Sequence, residues 1–516
     1  MESHPGKHLF IDDFFIESMQ GTRRVLNHPQ KLTVDAPLAI PMDCAWEAGS
    51  PRFQRVIYIE DERRFRLYYT SWIHGLALVC ALESDDGVTW TKPSLGLVEF
   101  EGSTDNNITN CPAGELTMVW DPHERDPRRR WKRIDNKPTG TDAEGKPQWR
   151  AHSSADGYDW QQIPIGEHSS QPMLFNFGAP PTGFGGTIDP DAAYVFYSQR
   201  GSGRRTRVLG RRDSDDFLSW SGLRTVIDQD LEDPPGTEFY SAAADLANRT
   251  NAGLRMLMLH TFHTDLNEPY HIHEPKQYWG EEAGSAAIPA RVDGPVDTQL
   301  AVSRDSVSWT RWREPFIQRG AAGAWDWGML YGDAPILHDE KLYFFYNAGP
   351  QTHNGRTAYP SEGRYPVAKS WGKGLATLRA DGYVHVETAS SVPGQLTTHR
   401  FKQAAGGTVH VNVDATAGQL RYELLKDTGE PIPGYGIQDC DPIRGDAPQA
   451  QLSWQGQRRW PAVGEERRTP GLEDLPVGEF YIKLRFHLGP GAKLYSLTIA
   501  PPQVAIWGAP VPGRID

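Results

Sequence analysis

The sequence predicts an all-β protein, a five-bladed β-propeller followed by a C-terminal antiparallel β-sandwich. Three observations predict it. The 516 residues include 17 Trp, 51 Gly and 40 Pro, with aromatics at 11%, a composition of short strands and many turns, not of helices or a coiled coil. A turn motif recurs along the first three quarters of the chain. Beyond about residue 387 the pattern becomes strict period-two alternation. The aromatic content also excludes a disordered chain.

The recurring motif is Ser-x-Asp-Gly-x-x-Trp. It appears as Ser84 to Trp90 and Ser154 to Trp160, without the Gly as Ser214 to Trp220 and Ser303 to Trp309, and in degenerate form as Arg379 to His385. The copies start 60 to 89 residues apart. A tight polar turn closing a hairpin, with an aromatic packed on the next strand, explains one copy. Five copies imply one structural unit used five times.

The intervening sequence fits four short strands per unit. Unit one offers Arg55–Ile59 and Phe65–Tyr69, and unit two Leu116–Trp120 and Trp131–Ile134. Unit three offers Tyr194–Tyr197, unit four Glu238–Asp245 and Leu254–Leu259, and unit five Met329–Leu337 and Leu342–Tyr346. Tyr69 and Trp90 stand 21 residues apart in unit one, but Leu259 and Trp309 stand 50 apart and Tyr346 and His385 stand 39 apart. Insertions near 264–295 and 350–370 therefore leave after the second strands of units four and five, where they are expected to wall the channel mouth with Trp279, His353 and Tyr359.

The remaining strands, Thr408–Val413, Gln419–Leu424, Phe480–Phe486 and Leu494–Leu497, alternate between turns rich in Gly, Asp and Pro. With no helix to cover such a sheet, two sheets are expected to pack face to face. The expected domains are a propeller over 1–386 and a sandwich over 387–516, with Pro393-Gly394 as the linker.

The charge balance, 53 − 66 = −13, argues against a nucleic-acid partner, whose phosphates require a basic face. No window reaches the roughly 18 apolar residues of a membrane helix. Met1 to His8 lacks a basic stretch followed by an apolar run, so a cytoplasmic protein is expected. Cys44, Cys80, Cys111 and Cys440 are scattered and read as buried thiols. His271-x-His273 with Glu274 has no third ligand at diagnostic spacing. No metal and no cofactor are therefore expected, and the oligomeric state is left open.

Four stretches carry a family resemblance: Leu9 to Phe14, Trp46-Glu47, Gly323 to Met329 and Gly374 to Gly382. With the propeller-then-sandwich order they make the chain similar, over nearly its whole length, to the invertase/levanase class of glycoside hydrolases, within an invertase-like bacterial subgroup. The resemblance implies a hydrolase acting on a furanoside or similar oligo- or polysaccharide. The chain departs from that class at the catalytic positions. The Asn-Asp-Pro motif of blade one and the Glu-Cys pair of blade three are absent. Arg125-Asp126-Pro127 falls in a hairpin and reads as a surface turn.

Site residues are therefore placed by position. Side chains at the start of each blade's first strand converge on the axis, and glycoside hydrolysis needs two carboxyl groups about 5–5.5 Å apart for retention or about 6.5–9.5 Å apart for inversion. The expected catalytic set is Glu47 beside Trp46, Glu238 before Phe239-Tyr240, and Asp326 between Trp325 and Trp327. Glu238 is assigned as general acid because two aromatics and two anions would hold its proton. Trp46, Asp105, Asn106, His260, His263, Trp325 and His353 are the expected substrate contacts. Asp12 and Asp13 read as a turn, with a route to the axis if the N-terminal strand closes the last blade. Two alternatives remain: a non-catalytic carbohydrate-binding propeller, and a sialidase-like enzyme, whose Asp-box turn resembles the recurring motif and whose arginine triad has a counterpart at a strand start only near Arg52.

Overall fold

A computed structural model describes residues 6–48, 51–113, 118–122, 124–134, 140–141, 147–148, 150–163, 184–185, 194–201, 207–218, 220–221, 224–245, 253–263, 294–350, 352, 371–402, 407–458 and 481–500. The protein is all-β. Among the described residues the helical elements are two single 3₁₀ turns, Ala45–Glu47 and Pro127–Arg129, and no helix is long and apolar enough to cross a membrane. The chain forms two compact units. The larger comprises His28–Asn248 and Arg255–Leu378, and the smaller Met1–Asn27, Arg249–Leu254 and Arg379–Asp516.

Antiparallel sheets follow one another along the larger unit. The first is Arg52–Ile59, Arg64–Ile73 and Leu76–Ser84, extended by a bridge from Glu83 to Thr91. The second is Met118–Trp120, Trp131–Ile134, Ala151–Ser154 and Trp160–Ile163. The third is Phe184–Gly185, Tyr194–Gly201, Arg207–Ser214 and Arg224–Ile227. The fourth is Thr237–Asp245, Arg255–His263, Val296–Ser303 and Thr310–Ile317. In the fifth, Met329–Gly332 and Ile336–His338 pair with Lys341–Gly349, followed by Gly372–Arg379 and Gln30–Lys31. A single parallel pair, Val296 with Met329, joins the fourth sheet to the fifth.

The second strand of sheet four is apolar on both faces along Met256–Leu259 because both faces are covered. Met256, Leu257, Met258 and Leu259 are all fully buried, as are Phe65 and Leu67. Apolar clusters couple sheet one to two through Tyr68, Met118 and Trp131, two to three through Val119, Ile134 and Phe196, and three to four through Val195, Tyr197 and Phe239. Phe316 on Phe344 couples four to five, and Phe345 and Leu375 pack with Val56 and Phe65 to couple five back to one. The contacts run in a closed cycle.

The recurring turns have one internal geometry. Ser84 Oγ accepts from Gly87 N at 2.8 Å, and Asp86 Oδ1 accepts from Val88 N and Thr89 N, both at 2.7 Å. Ser154 and Asp156, and Ser303 and Asp305, repeat these bonds. The fourth position requires a left-handed backbone, which Gly87 (φ 74°) and Gly157 (φ 80°) adopt readily. Phe217 (φ 66°) and Ser306 (φ 60°) adopt it without glycine, so the Ser and Asp hydrogen bonds offset the strain there. The turns also join sheets. Gly157 O accepts from the Tyr68 hydroxyl of sheet one at 3.0 Å, and Ser306 O accepts from Tyr197 of sheet three at 3.4 Å.

The fifth copy differs from the expected pattern. It leads from Gly372–Arg379 into Val384–Thr388 of the smaller unit, and Asp381 accepts from Lys7 Nζ at 2.8 Å and Ser496 Oγ at 2.7 Å. The chain changes unit at this turn. Pro393-Gly394 lies inside the smaller unit, where Gly394–Thr398 begins a strand. The N-terminal strands up to Asn27 also belong to that unit, not to the one expected over 1–386.

In the smaller unit the long strand Thr408–Lys426 pairs with Lys493–Ala500 along its first part and with Tyr481–Leu488 along its second. Alternate residues Ile482, Leu484, Phe486 and Leu488 are fully buried in one core with Phe10, Val411, Tyr422 and Trp454. Asp12 Oδ1 accepts from Phe14 N at 3.2 Å and Asp13 pairs with Arg24, the turn roles expected of them.

Gly157→Ala is expected to destabilise strongly. An added Cβ meets the Tyr68 hydroxyl at 2.6 Å, Arg66 Nη1 at 2.7 Å and Trp131 at 2.9 Å. Gly75→Ala has a similar φ of 78° but nothing within 4 Å, so it is expected to cost only the backbone preference, about 1–2 kcal/mol. Urea unfolding of both variants checks the contrast, and equal midpoints would contradict the packing argument.

Candidate functional site

Side chains from sheets three, four and five gather around Tyr331. Tyr331 stands two residues into the first strand of sheet five, Tyr240 and Glu238 open the first strand of sheet four, and Arg52 opens that of sheet one. Arg207, at the start of the third strand of sheet three, pairs with Glu238 Oε2. Trp371 precedes the third strand of sheet five. Ring centroids lie 5.7 Å apart for Tyr240 and Tyr331, and 5.8 Å apart for Tyr331 and Trp371, near-parallel at 29°. Burial pushes the Tyr331 phenol well above its ordinary range, Tyr240 adds to the rise, and Arg52 and Arg207 oppose it.

Aromatic faces flank the Glu238–Arg207 pair. The Arg207 guanidinium lies 5.2 Å from the Phe262 ring centroid and 5.6 Å from that of Tyr240, an arrangement that displaces water and holds the fork in place. Glu238 is 12% exposed at its side chain, and its Oε1 has no hydrogen-bond partner among the described residues. It combines a fixed carboxylate with an available oxygen.

Further along the same strands lies a second polar layer. Lys373 Nζ donates to Asp333 Oδ2 at 2.5 Å and to Gln54 O at 2.8 Å. Burial lowers the Lys373 pKa, with Asp333 opposing and Arg55 reinforcing the shift. Lys373 is flanked by glycines because its strand is crowded. A Cβ on Gly374 would lie 2.1 Å from the Tyr346 ring, and one on Gly372 would lie 2.4 Å from Pro37. His260 is 1% exposed, with Nε2 2.9 Å from Gly332 O and Nδ1 2.6 Å from Ser241 Oγ. A carbonyl only accepts, so Nε2 carries the proton of the neutral ring. Burial lowers the His260 pKa to about 4, against the pull of the Gly332 carbonyl, Asp333 and Asp297.

Of the expected catalytic carboxylates, Glu238 lies in this site. Glu47 and Asp326 lie in separate pairs that share no residue with it. Glu47 accepts from Tyr69 through Oε1 and from Cys44 N (2.9 Å) and Lys92 Nζ (2.6 Å) through Oε2. Asp43, Cys44 and Glu47 form a group of potential metal donors within 4.8 Å of one another, and the Lys92 ammonium sits among them, 2.5 Å from Asp43 and 3.1 Å from Cys44 Sγ. Asp326 is 1% exposed and pairs with Lys31 Nζ at 2.5 Å.

The expected substrate contacts divide similarly. Trp46 Nε1 donates to Asn107 Oδ1 at 2.9 Å, and its ring packs edge-on against Phe100. Asp105 accepts from Ser94 Oγ at 2.6 Å, and Asn106 binds the backbone of Val98 and Ile108, both turn roles. Trp325 stacks on Tyr346 and donates to Thr33 O. His260 spends both nitrogens inside the protein, which corrects its expected role as a direct sugar contact. His263 is partly exposed and donates through Nε2 to Asp297 Oδ2 at 2.8 Å. His353, Trp279, Tyr359 and the cluster at His271, His273 and Glu274 lie outside the described residues.

Sequence reasoning missed Arg207, Tyr331, Asp333, Trp371 and Lys373. Asp333 follows Tyr331 by two residues just past the end of Met329–Gly332, the spacing at which an extended chain presents side chains to one face, a usable signal. Nothing local marks Arg207, which meets Glu238 from 31 residues away.

No protein-family model matches the chain, and no curated protein matches it. Solved structures with some likeness include one described as a glycoside hydrolase (14% identity, 68% of this chain and 92% of that one, TM-score 0.40). Another is an N-acetylgalactosamine deacetylase from F. plautii (14% identity, 73% and 95%, TM-score 0.38). A third is the catalytic domain of a Coprinopsis cinerea GH62 α-L-arabinofuranosidase (10% identity, 68% and 98%, TM-score 0.39). Likeness at this level carries no information about the chemistry of this chain.

His260 supplies a pH prediction. Its folded pKa of about 4 lies below the ordinary 6.5, so the unfolded chain binds the proton first as pH falls. The stability held by the neutral ring is complete above 6.5 and is lost as pH drops towards 4, by at most about 1.4 kcal/mol per unit. Urea midpoints of the wild type should fall between pH 7 and pH 4.5, and fall less in His260→Gln. Parallel curves would reject the assignment.

Proposed function

We propose that the larger unit is a five-bladed β-propeller, that the smaller is a β-sandwich, and that the protein is a glycoside hydrolase acting on a furanoside or similar glycan at the site around Tyr331. The closed cycle of sheet contacts supports the first part, and the single shared core of the smaller unit supports the second. The observation that carries the activity is Glu238, held by Arg207 at the start of a first strand, with Tyr240, Tyr331 and Trp371 beside it. Aromatic faces with a few fixed polar groups suit a sugar ring, since rigid rings give contact area at little entropic cost.

The role of Glu238 changes in this reading. A general acid needs a proton, and a proton on Glu238 would break its pair with the guanidinium. Glu238 is therefore assigned as the nucleophile, or as the base that activates water, and Asp333 as the second carboxyl group. The closed hydrogen-bond set of Glu47 and the buried pair of Asp326 with Lys31 support positioning roles for both. A binding-only propeller is the second reading, favoured by the fact that Glu238 and Asp333 each have a cationic partner.

Glu238→Gln is expected to lower turnover of a cleaved glycan about 10²–10⁴-fold, the range for removing a participating acid or base, while the glycan still binds. Full activity in Glu238→Gln would reject the assignment. A wild-type protein that binds glycans and cleaves none would establish the binding-only reading.

A further inference from the structure

The hairpin joining the second and third strands of sheet one is short and stiff. Arg64–Ile73 and Leu76–Ser84 stay paired out to Ile73 and Leu76, so the turn is His74-Gly75 alone. Both residues are left-handed, at φ 50° and 78°, as the two-residue turn that matches strand twist requires. A Cβ on Gly75 would meet nothing within 4 Å, so the tip stands clear of its surroundings. At its base Ser71 Oγ donates to Trp46 O at 2.6 Å.

Strand register places this tip relative to the site. Tyr331 stands directly opposite Asn347, and Asn347 Nδ2 donates to Phe53 O of sheet one at 3.2 Å. Phe53 pairs with Tyr69, and Arg52, where the first strand begins, pairs with Thr70. Trp72 lies three residues past Tyr69, so it stands roughly 10 Å along the strand from that level and beyond the start of the first strand. The hairpin therefore projects from the end of sheet one that lies beside Tyr331.

What the tip displays is apolar. Trp72 is 45% exposed and Leu76 57%. Among the described residues Trp72 makes no hydrogen bond and no ring contact, so its indole N–H and its ring are both uncommitted. The size of this surface selects its occupant. An aromatic side chain offers at most ~250 Å², whereas a protein partner needs roughly 800 Å² on each side. Two exposed side chains are too little for a second protein. One indole with a free N–H matches a single sugar ring, which is apolar on its C–H face and hydroxylated at its edge.

We propose that Trp72 is a remote subsite for a glycan chain, stacking on a sugar residue distant from the one held at Tyr331. The inference rests on the carbohydrate reading of the Tyr331 site and narrows its substrate to oligosaccharides long enough to reach the hairpin tip.

The test is calorimetric titration of the full chain with fructo-, arabino- and xylo-oligosaccharides of two to six residues, with hydrolysis of the same ladders followed alongside. One ladder should bind more tightly as it lengthens. Trp72→Ala should weaken binding of its longest members about five-fold or more, with a smaller loss for the dimer, and the loss should appear in KM and not in kcat. Trp72→Tyr, which keeps a flat ring, should restore part of it. Trp72 is exposed, so both variants are expected to fold, and an unchanged urea midpoint confirms it. A loss equal at every chain length, or no loss at any, would overturn the inference. So would sedimentation showing a wild-type dimer that Trp72→Ala makes monomeric, which would make the tip a contact between copies. If glycans are cleaved with no dependence on Trp72, the hydrolase reading stands and this inference falls. If long chains bind through Trp72 and none is cleaved, the inference stands and the hydrolase reading falls. If no ladder is bound or cleaved, both fall.

Discussion

The fifth sheet is completed by two residues from far upstream. Gln30–Lys31 is the fourth strand of the fifth sheet, pairing with Thr377 and Ala376. Lys31 Nζ reaches Asp326 Oδ2 at 2.5 Å. The Tyr346 hydroxyl lies 3.4 Å from the same oxygen and 2.9 Å from Thr33 Oγ1, and Trp325 stacks on Tyr346 while donating to Thr33 O. Removing one partner of such a buried pair leaves an uncompensated charge, a loss of about 3–5 kcal/mol. An aspartate between two tryptophans looks like a catalytic residue in sequence. In the fold it ties the fourth strand of the fifth sheet to the segment that precedes that sheet's first strand.

The site residues stand where the strands of several sheets begin. The segment before Glu238 is tied down separately. Asp230 accepts from both Arg311 and Arg313, and Asp233 does the same. The Arg313 hydrogen bond does most to bring the Asp230 pKa down to about 2. These arginines lie on the fourth strand of sheet four and grip the approach to its first strand. Glu238 therefore enters the site from a segment anchored on its own sheet, while Arg207 comes from the neighbouring one. Their relative position is set by the sheet-to-sheet packing of Tyr197, Phe239 and Leu257.

The repeated turn was legible because its chemistry is local. Ser84, Asp86 and Gly87 satisfy one another within four residues, so the residues that identify the turn are the ones that build it. The same holds for the alternating strand Tyr481–Leu488, whose buried face is written at every second position. The site was poorly legible for the opposite reason. Whether a carboxylate is structural or reactive depends on its partner, and Lys31 lies 295 residues from Asp326 and Lys92 lies 45 from Glu47. No local pattern distinguishes Glu47, whose oxygens are both taken, from Glu238, which keeps one available. The unit boundary was misplaced on similar grounds. The turn at Asp381 has the look of a fifth copy, but its carboxylate is occupied by Lys7 and Ser496, and the chain leaves the fifth sheet there.

The ion pairs of the larger unit divide by what they connect. Glu47–Lys92 ties a 3₁₀ turn to the residues following its own sheet, Asp326–Lys31 closes a sheet, and Asp121–Lys132 and Asp121–Tyr194 fasten a hairpin and its neighbour. Each of these carboxylates is at most 6% exposed at its side chain or as a whole residue, where charge without a partner would be prohibitive. Glu238 and Asp333 are more open, at 12% and 16%, and each has one cationic partner, Arg207 and Lys373. A buried pair with matched charges has completed its electrostatics within the protein. A partly open pair keeps a carboxylate that a ligand can reach.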